Sequence, residues 1–128
     1  MKHSITIGLA MLAGAALGAA AIQGLHAQAK PPIYVVTEID VTNLDSYVKE
    51  YTPKAQALIR SSGGRIIAAG QNVTSLEGER VKPRVAITSW DSMEKVQAWR
   101  NAAEFKANRQ IGDKYAKFRS FTVEGAAQ

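Results

Sequence analysis

Two arginines, one glutamate and two aromatics hold the positions from which chemistry is easiest to draw. Arg84 opens a run of strand-forming residues, and Arg65 follows the Gly63-Gly64 pair at the start of another. Either guanidinium can meet an anionic ligand at the rim of a sheet, or serve as surface charge or ion-pair partner. Glu77 precedes Gly78 at a hairpin corner and is the carboxylate best placed to act as a base. Tyr51 and Trp99 fall at helical spacing among apolar neighbours. They fill a core, or they wall a pocket between helix and sheet, where small ligands bind. Glu38 and Asp40 lie two apart on one strand face, a spacing that can hold a metal or a proton. Arg84 and Arg119 offer them ion pairing instead. No residue is assigned a catalytic role.

The absent residue types are as informative. The chain of 128 residues has no cysteine, which removes disulfides, thiolate nucleophiles, Cys-ligated zinc and iron–sulfur clusters. Its two histidines are His3 and His26. If the leading segment is removed, no Ser-His-Asp triad, His-ligated metal or proximal-His haem remains. Proton transfer is then left to Asp, Glu, Tyr, Lys or water, and neither metal nor cofactor is expected.

That leading segment has the three parts of a secretory signal peptide. Met1-Lys2-His3 is basic, Leu9 to Ile22 is uncharged and apolar, and Ala27-Gln28-Ala29 gives small residues at −3 and −1. The apolar run is shorter than the roughly 20 residues a spanning helix needs. Cleavage after Ala29 is therefore expected, with residues 30–128 forming one mature domain, periplasmic or secreted by a bacterium and free of the membrane. The net charge of +5 is spread along the chain with no basic run interleaved with aromatics, so nucleic acid is not an expected partner. Asn72-Val73-Thr74 is a glycosylation sequon read as chance in a bacterial protein.

The elements that must position these side chains alternate between β and α periods. Ile33 to Val41 is a strand, with Ile33, Val35, Thr37, Ile39 and Val41 on one face and Tyr34, Val36, Glu38 and Asp40 on the other. Leu44, Tyr47, Val48, Tyr51, Ala55, Leu58 and Ile59 then follow a helical period, with Thr42 or Asn43 as cap. Thr52-Pro53 predicts a kink or break near Tyr51, and Gly63-Gly64 ends the helix. Residues 65–69 form a second strand, continued after a bulge or bend by 73–76, and residues 84–90 a third. Asp91-Ser92-Met93-Glu94 reads as a capping box for a helix carrying Met93, Val96 and Trp99 inward. A further helix over 104–115 carries Phe105, Ile111 and Tyr115, and residues 117–124 form the last strand.

The order β-α-β-β-α-β is the split β-α-β, ferredoxin-like pattern: an α+β domain with a four-stranded antiparallel sheet and its helices on one face. The first strand is apolar on both faces, and Phe118 and Phe121 put aromatics on both faces of the last. A second copy of the chain is the simplest cover for the helix-free face, so a homodimer is expected.

Tyr34-Val35-Val36 through Ile39-Asp40-Val41, Asp45-x-Tyr47, Tyr51 and Gly63-Gly64-Arg65 resemble the opening of the DUF1330 family. Leu76-Glu77-Gly78, Arg84 opening a strand, Ala98-Trp99, Glu104-Phe105 and the closing Val123-Glu124-Gly125 continue the resemblance over nearly all of the mature chain. The family commonly has Phe where Trp90 stands and Tyr where Phe105 stands; the second departure removes a phenol. The resemblance implies a ferredoxin-like fold of the dimeric α+β barrel type, without a reaction. Related barrels include cofactor-independent monooxygenases, isomerases, haem enzymes and stress-response proteins. The expected function is an exported homodimer binding a small organic molecule, anionic in one version, between helices and sheet near Pro53. Tyr51 and Trp99 are its expected walls, Arg84 or Arg65 its cation and Glu77 its base. The alternatives are a cofactor-independent monooxygenase or isomerase on the same scaffold, and an assembly partner with no small-molecule site.

Overall fold

The computed structural model describes residues 30–127, of which residues 31–125 form one compact unit. The expected signal peptide lies outside the described residues. Among them, no helix is long and apolar enough to cross a membrane.

Strands β1 (Ile33–Val41), β2 (Arg65–Gly70), β3 (Arg84–Trp90) and β4 (Ala116–Glu124) form one sheet in the order β2-β3-β1-β4, every neighbouring pair antiparallel. The β-branched density of β1 suits it to the centre, where both edges are paired. Val35, Thr37 and Ile39 are buried. The intervening side chains point to the other face, because the side-chain period of a strand is two. The bulge falls at Ile67, between the pairs Ile66–Thr88 and Ala68–Ile87. That is earlier than the sequence suggests, and residues 73–76 do not resume the strand. The backbone turns away at Gly70, whose φ of 144° ends the ladder and opens an irregular loop to Arg84.

The break expected near Tyr51 is a change of helix type without loss of helix. One helical turn (Leu44–Ser46), capped by Asn43 through a 3.2 Å bond to the Ser46 amide, runs into a π-turn at Tyr47–Tyr51 and then into α1 (Thr52–Ser61). Pro53 lacks the amide hydrogen that an α-helix would aim at the Lys49 carbonyl, and its ring crowds that oxygen. One extra residue in the turn accommodates it. The Tyr47 carbonyl accepts from the Thr52 amide and also from the Thr52 hydroxyl at 3.1 Å. Both Tyr47 and Tyr51 are thereby buried.

Gly63, with φ of 97°, closes α1. A Cβ on Gly64 would lie 2.5 Å from the Trp90 ring, so the backbone can pass there only without a side chain. Ser92 caps α2 (Met93–Asn101) by accepting from the Lys95 amide at 3.2 Å. Asp91, expected as the cap, instead pairs with Lys95 at 3.2 Å. α3 (Ala103–Asp113) buries Phe105, Asn108 and Gly112, not the expected stripe of Phe105, Ile111 and Tyr115.

Two apolar clusters share the space between helices and sheet. One joins Val35, Leu58, Trp90, Val96, Trp99 and Phe105; the other joins Ile39, Tyr47, Tyr51 and Ala116, with Phe118 packed against it.

Candidate functional site

The two clusters do not meet completely. Between them lies a partly enclosed cavity of about 110 Å³. That is room for several waters or a small organic molecule. Its floor is the helix side of the sheet, where Thr37, Ile39, Ala86 and Thr88 face upward. Its roof is the π-turn with α1, and α2 and α3 close it with Trp99, Phe105, Asn108 and Arg109.

The aromatic walls are rigid because they lean on one another. Trp99 stacks on Trp90 at 4.6 Å between centroids and meets Phe105 edge-on at 5.0 Å. Tyr51 contacts Tyr47 at 5.3 Å and Phe118 at 5.4 Å. Such tilted and edge-on pairs are favoured by the ring quadrupoles. The Trp90 indole N–H donates to Thr88 Oγ1 at 2.8 Å, and Asn108 Nδ2 donates to the Tyr51 carbonyl at 3.3 Å. The Trp99 indole nitrogen is buried without a hydrogen-bond partner.

Two guanidinium groups enter this apolar setting. Arg84 shares a helix-side row with Ile39 and lies 5.5 Å from the centre of the Tyr47 ring. Arg109 lies 3.9 Å from the Phe118 centroid and 4.8 Å from that of Phe105, and its Nε donates to Tyr51 Oη at 3.1 Å. Among the described residues neither arginine makes an ion pair with Asp or Glu, and no carboxylate lines the cavity. Burial raises the Tyr47 phenol above its ordinary range, with Tyr51 adding to the effect and Arg84 opposing it.

Of the side chains singled out from sequence, Tyr51, Arg84 and Trp99 line this one cavity, and Arg65 and Glu77 do not. Arg65 pairs with Ser89, one residue from the helix-side pair Ile66–Thr88, so its side chain leaves the opposite face of the sheet. Glu77 lies in the exposed loop after β2, beside Leu76, which is 94% exposed. Glu38 pairs with Arg119 across the sheet and Asp40 with Lys82 at 3.6 Å, so neither approaches the cavity. Among the described residues no three His, Cys, Asp or Glu side chains converge as a metal site would require.

Sequence reasoning missed Tyr47, Asn108 and Arg109 as cavity residues. The signal was the run Phe105-x-x-Asn108-Arg109-x-x-Gly112, in which polar residues share the inward face of α3. Inward polar residues on a helix need partners, and here those partners are on Tyr51.

The sheet order, the helices on one face and the cavity between them define a ferredoxin-like α+β domain. Within that class the chain belongs to the DUF1330 family: residues 32–126 match its model, described as a domain of unknown function. No curated protein matches the chain by sequence. Similar solved structures include a protein of unknown function from Rhodopseudomonas palustris, 13% identical with a TM-score of 0.58 over 77% of this chain and 85% of that one. SnoaB, a cofactor-independent oxygenase from Streptomyces nogalater, is 10% identical with a TM-score of 0.57 over 77% and 96%. An ethyl tert-butyl ether D (EthD) family protein from Bacillus halodurans is 18% identical with a TM-score of 0.56 over 74% and 99%. At these identities the likeness is one of fold.

Proposed function

We propose that this protein binds a small, flat, anionic organic molecule in the cavity between its helices and sheet. The carrying observation is a mostly apolar cavity lined by two guanidinium groups and no carboxylate. Uncompensated positive charge against aromatic walls favours a ligand with an apolar body and a negative group. An assembly role without a ligand draws no support from a cavity of this kind. The test is calorimetric titration with a panel of aromatic carboxylates and their neutral carboxamides. The double variant Arg84→Ala/Arg109→Ala should lose at least about tenfold in affinity for the acids, as expected for charge-assisted hydrogen bonds, and keep its affinity for the amides. Equal binding of the acids by the wild type and the double variant would overturn the reading.

An enzyme on the same scaffold is the second reading, favoured by the fold shared with the oxygenase SnoaB. Oxygen consumption or product formation in the presence of a bound ligand separates it from simple binding.

The protein is further proposed to act as an exported homodimer. The helix-free face carries an apolar row across all four strands: Ala68, Ile87, Val36 and Phe121 stand opposite one another in register. Phe121 is 44% exposed and Val123 51%. A second copy of the same row is its natural complement. Export follows from the signal-peptide pattern, and intact-mass analysis of the exported protein should find Lys30 at the N-terminus. Full-length chain in the membrane fraction would contradict cleavage.

A further inference from the structure

One end of the cavity gathers hydrogen-bond donors that meet no acceptor side chain beyond the Tyr51 phenol. Arg109 Nε occupies the Tyr51 phenol oxygen as an acceptor at 3.1 Å, which turns that phenol's own proton outward as a donor. Among the described residues, neither that proton nor the terminal nitrogens of Arg109 have a hydrogen-bond partner within the protein. The Arg109 guanidinium is held in place by Phe118, Phe105 and Tyr51, at 3.9, 4.8 and 5.9 Å from their ring centres. A second guanidinium, Arg100, lies 4.6 Å from the same Phe105 ring, and its Nη1 is buried with no partner. Burial and then the charge of Arg109 push the Arg100 pKa down, as expected where positive charge is crowded and unanswered.

The other groups around this end add no negative charge. Tyr47 and Thr52 face it from the π-turn and α1, Arg84 from β3 and Asn108 from α3. Glu104, at the start of α3, pairs with Lys54 at 3.4 Å.

We propose that Tyr51 and Arg109, with Arg100 behind them, form an oxyanion subsite, and that the ligand is a phenol or enol bound as its conjugate base. This rests on the small-molecule reading above and names the ligand class. The Tyr51 proton and an adjacent Arg109 N–H come from one hydrogen-bonded pair, so they converge on a single oxygen better than on the two separated oxygens of a carboxylate. An ionised hydroxyl supplies such an oxygen, and its conjugated ring system suits the aromatic walls. On ionisation the ligand O–H bond breaks, the electron pair stays on the ligand oxygen and the proton passes to water, since no carboxylate or imidazole lines the cavity to receive it. A cation at 4–6 Å lowers the pKa of an acid by about 1–3 units.

The experiment titrates para-nitrophenol by the absorbance of its phenolate with and without saturating protein, and measures para-nitrotoluene as a neutral isostere. Bound para-nitrophenol should ionise at least about one pH unit below the free compound. Arg109→Gln should abolish that shift, Tyr51→Phe should reduce it, and Arg109→Lys, which keeps the charge, should retain most of it. Circular dichroism of each variant reports the fold. Binding of both compounds with no shift in the wild type overturns the oxyanion subsite and leaves the small-molecule reading intact. A shift abolished by Arg84→Gln and untouched by Arg109→Gln also overturns it. Binding of neither compound overturns the oxyanion subsite, and the carboxylate panel then decides the small-molecule reading separately.

Discussion

Val35→Asp is expected to leave the chain largely unfolded, and Val36→Asp, one residue on, to leave it folded and monomeric. Val35 is 3% exposed in the cluster beneath the helices, with Leu58, Trp90 and Trp99 around it. An unpaired buried charge costs about 3–5 kcal/mol, and lost packing adds to that. The total approaches the stability of an ordinary small domain, about 5–15 kcal/mol. Val36 points to the helix-free face, between Ile87 and Phe121. A carboxylate there is hydrated in the single chain and buried only when a second copy covers the sheet. Far-UV circular dichroism reads the first effect and sedimentation equilibrium at micromolar concentration the second. A folded Val36→Asp that sediments as a dimer would remove the proposed interface, as would a monomeric wild type.

Trp90→Ala is expected to cost about 3–5 kcal/mol, the range for truncating a large buried aromatic. Trp90 is 1% exposed and the largest fully buried side chain among the described residues. It supports the cavity wall through its stack on Trp99, and it fits because Gly64 leaves room for it. Its truncation should enlarge the cavity and loosen Trp99, so that ligand affinity falls together with stability. Trp90→Phe keeps most of the apolar area but leaves Thr88 Oγ1 without its donor, and should cost about 1–3 kcal/mol. Urea denaturation measures both. Equal costs for the two variants would show that the single ring Phe retains contributes nothing and that the Trp90–Thr88 bond and the rest of the indole carry the whole effect.

The architecture was largely legible because period and punctuation agreed along the chain. All four strands, the helices that follow Asn43, Thr52 and Asp91-Ser92, and the placement of Phe118 and Phe121 on opposite faces of β4 lie close to where the pattern placed them. Errors occurred where a local signal had two solutions. Thr52-Pro53 is compatible with a broken helix or with a π-turn, and burial of both Tyr47 and Tyr51 favours the latter. Gly112 is disfavoured inside a helix on propensity alone. The fold requires it, because a Cβ there would lie 2.6 Å from the Tyr51 ring.

The sequence alone determined the residue inventory and the element order. A chain without cysteine, with a ferredoxin-like alternation of periods and with apolar residues on both faces of its central strand, has few ways to fold. It also nominated Arg84, Tyr51 and Trp99, since each sits at a strand start or on an inward helix face. Only the tertiary structure decided which charges meet. Arg65 and Arg84 look alike in sequence, yet the side-chain alternation set by sheet register sends the first out of the opposite face and the second toward the cavity. Arg109 looks like one more surface cation on a polar helix. It becomes a cavity residue because α3 crosses the π-turn closely enough for its Nε to reach Tyr51, a contact between residues distant in the chain that no local pattern encodes.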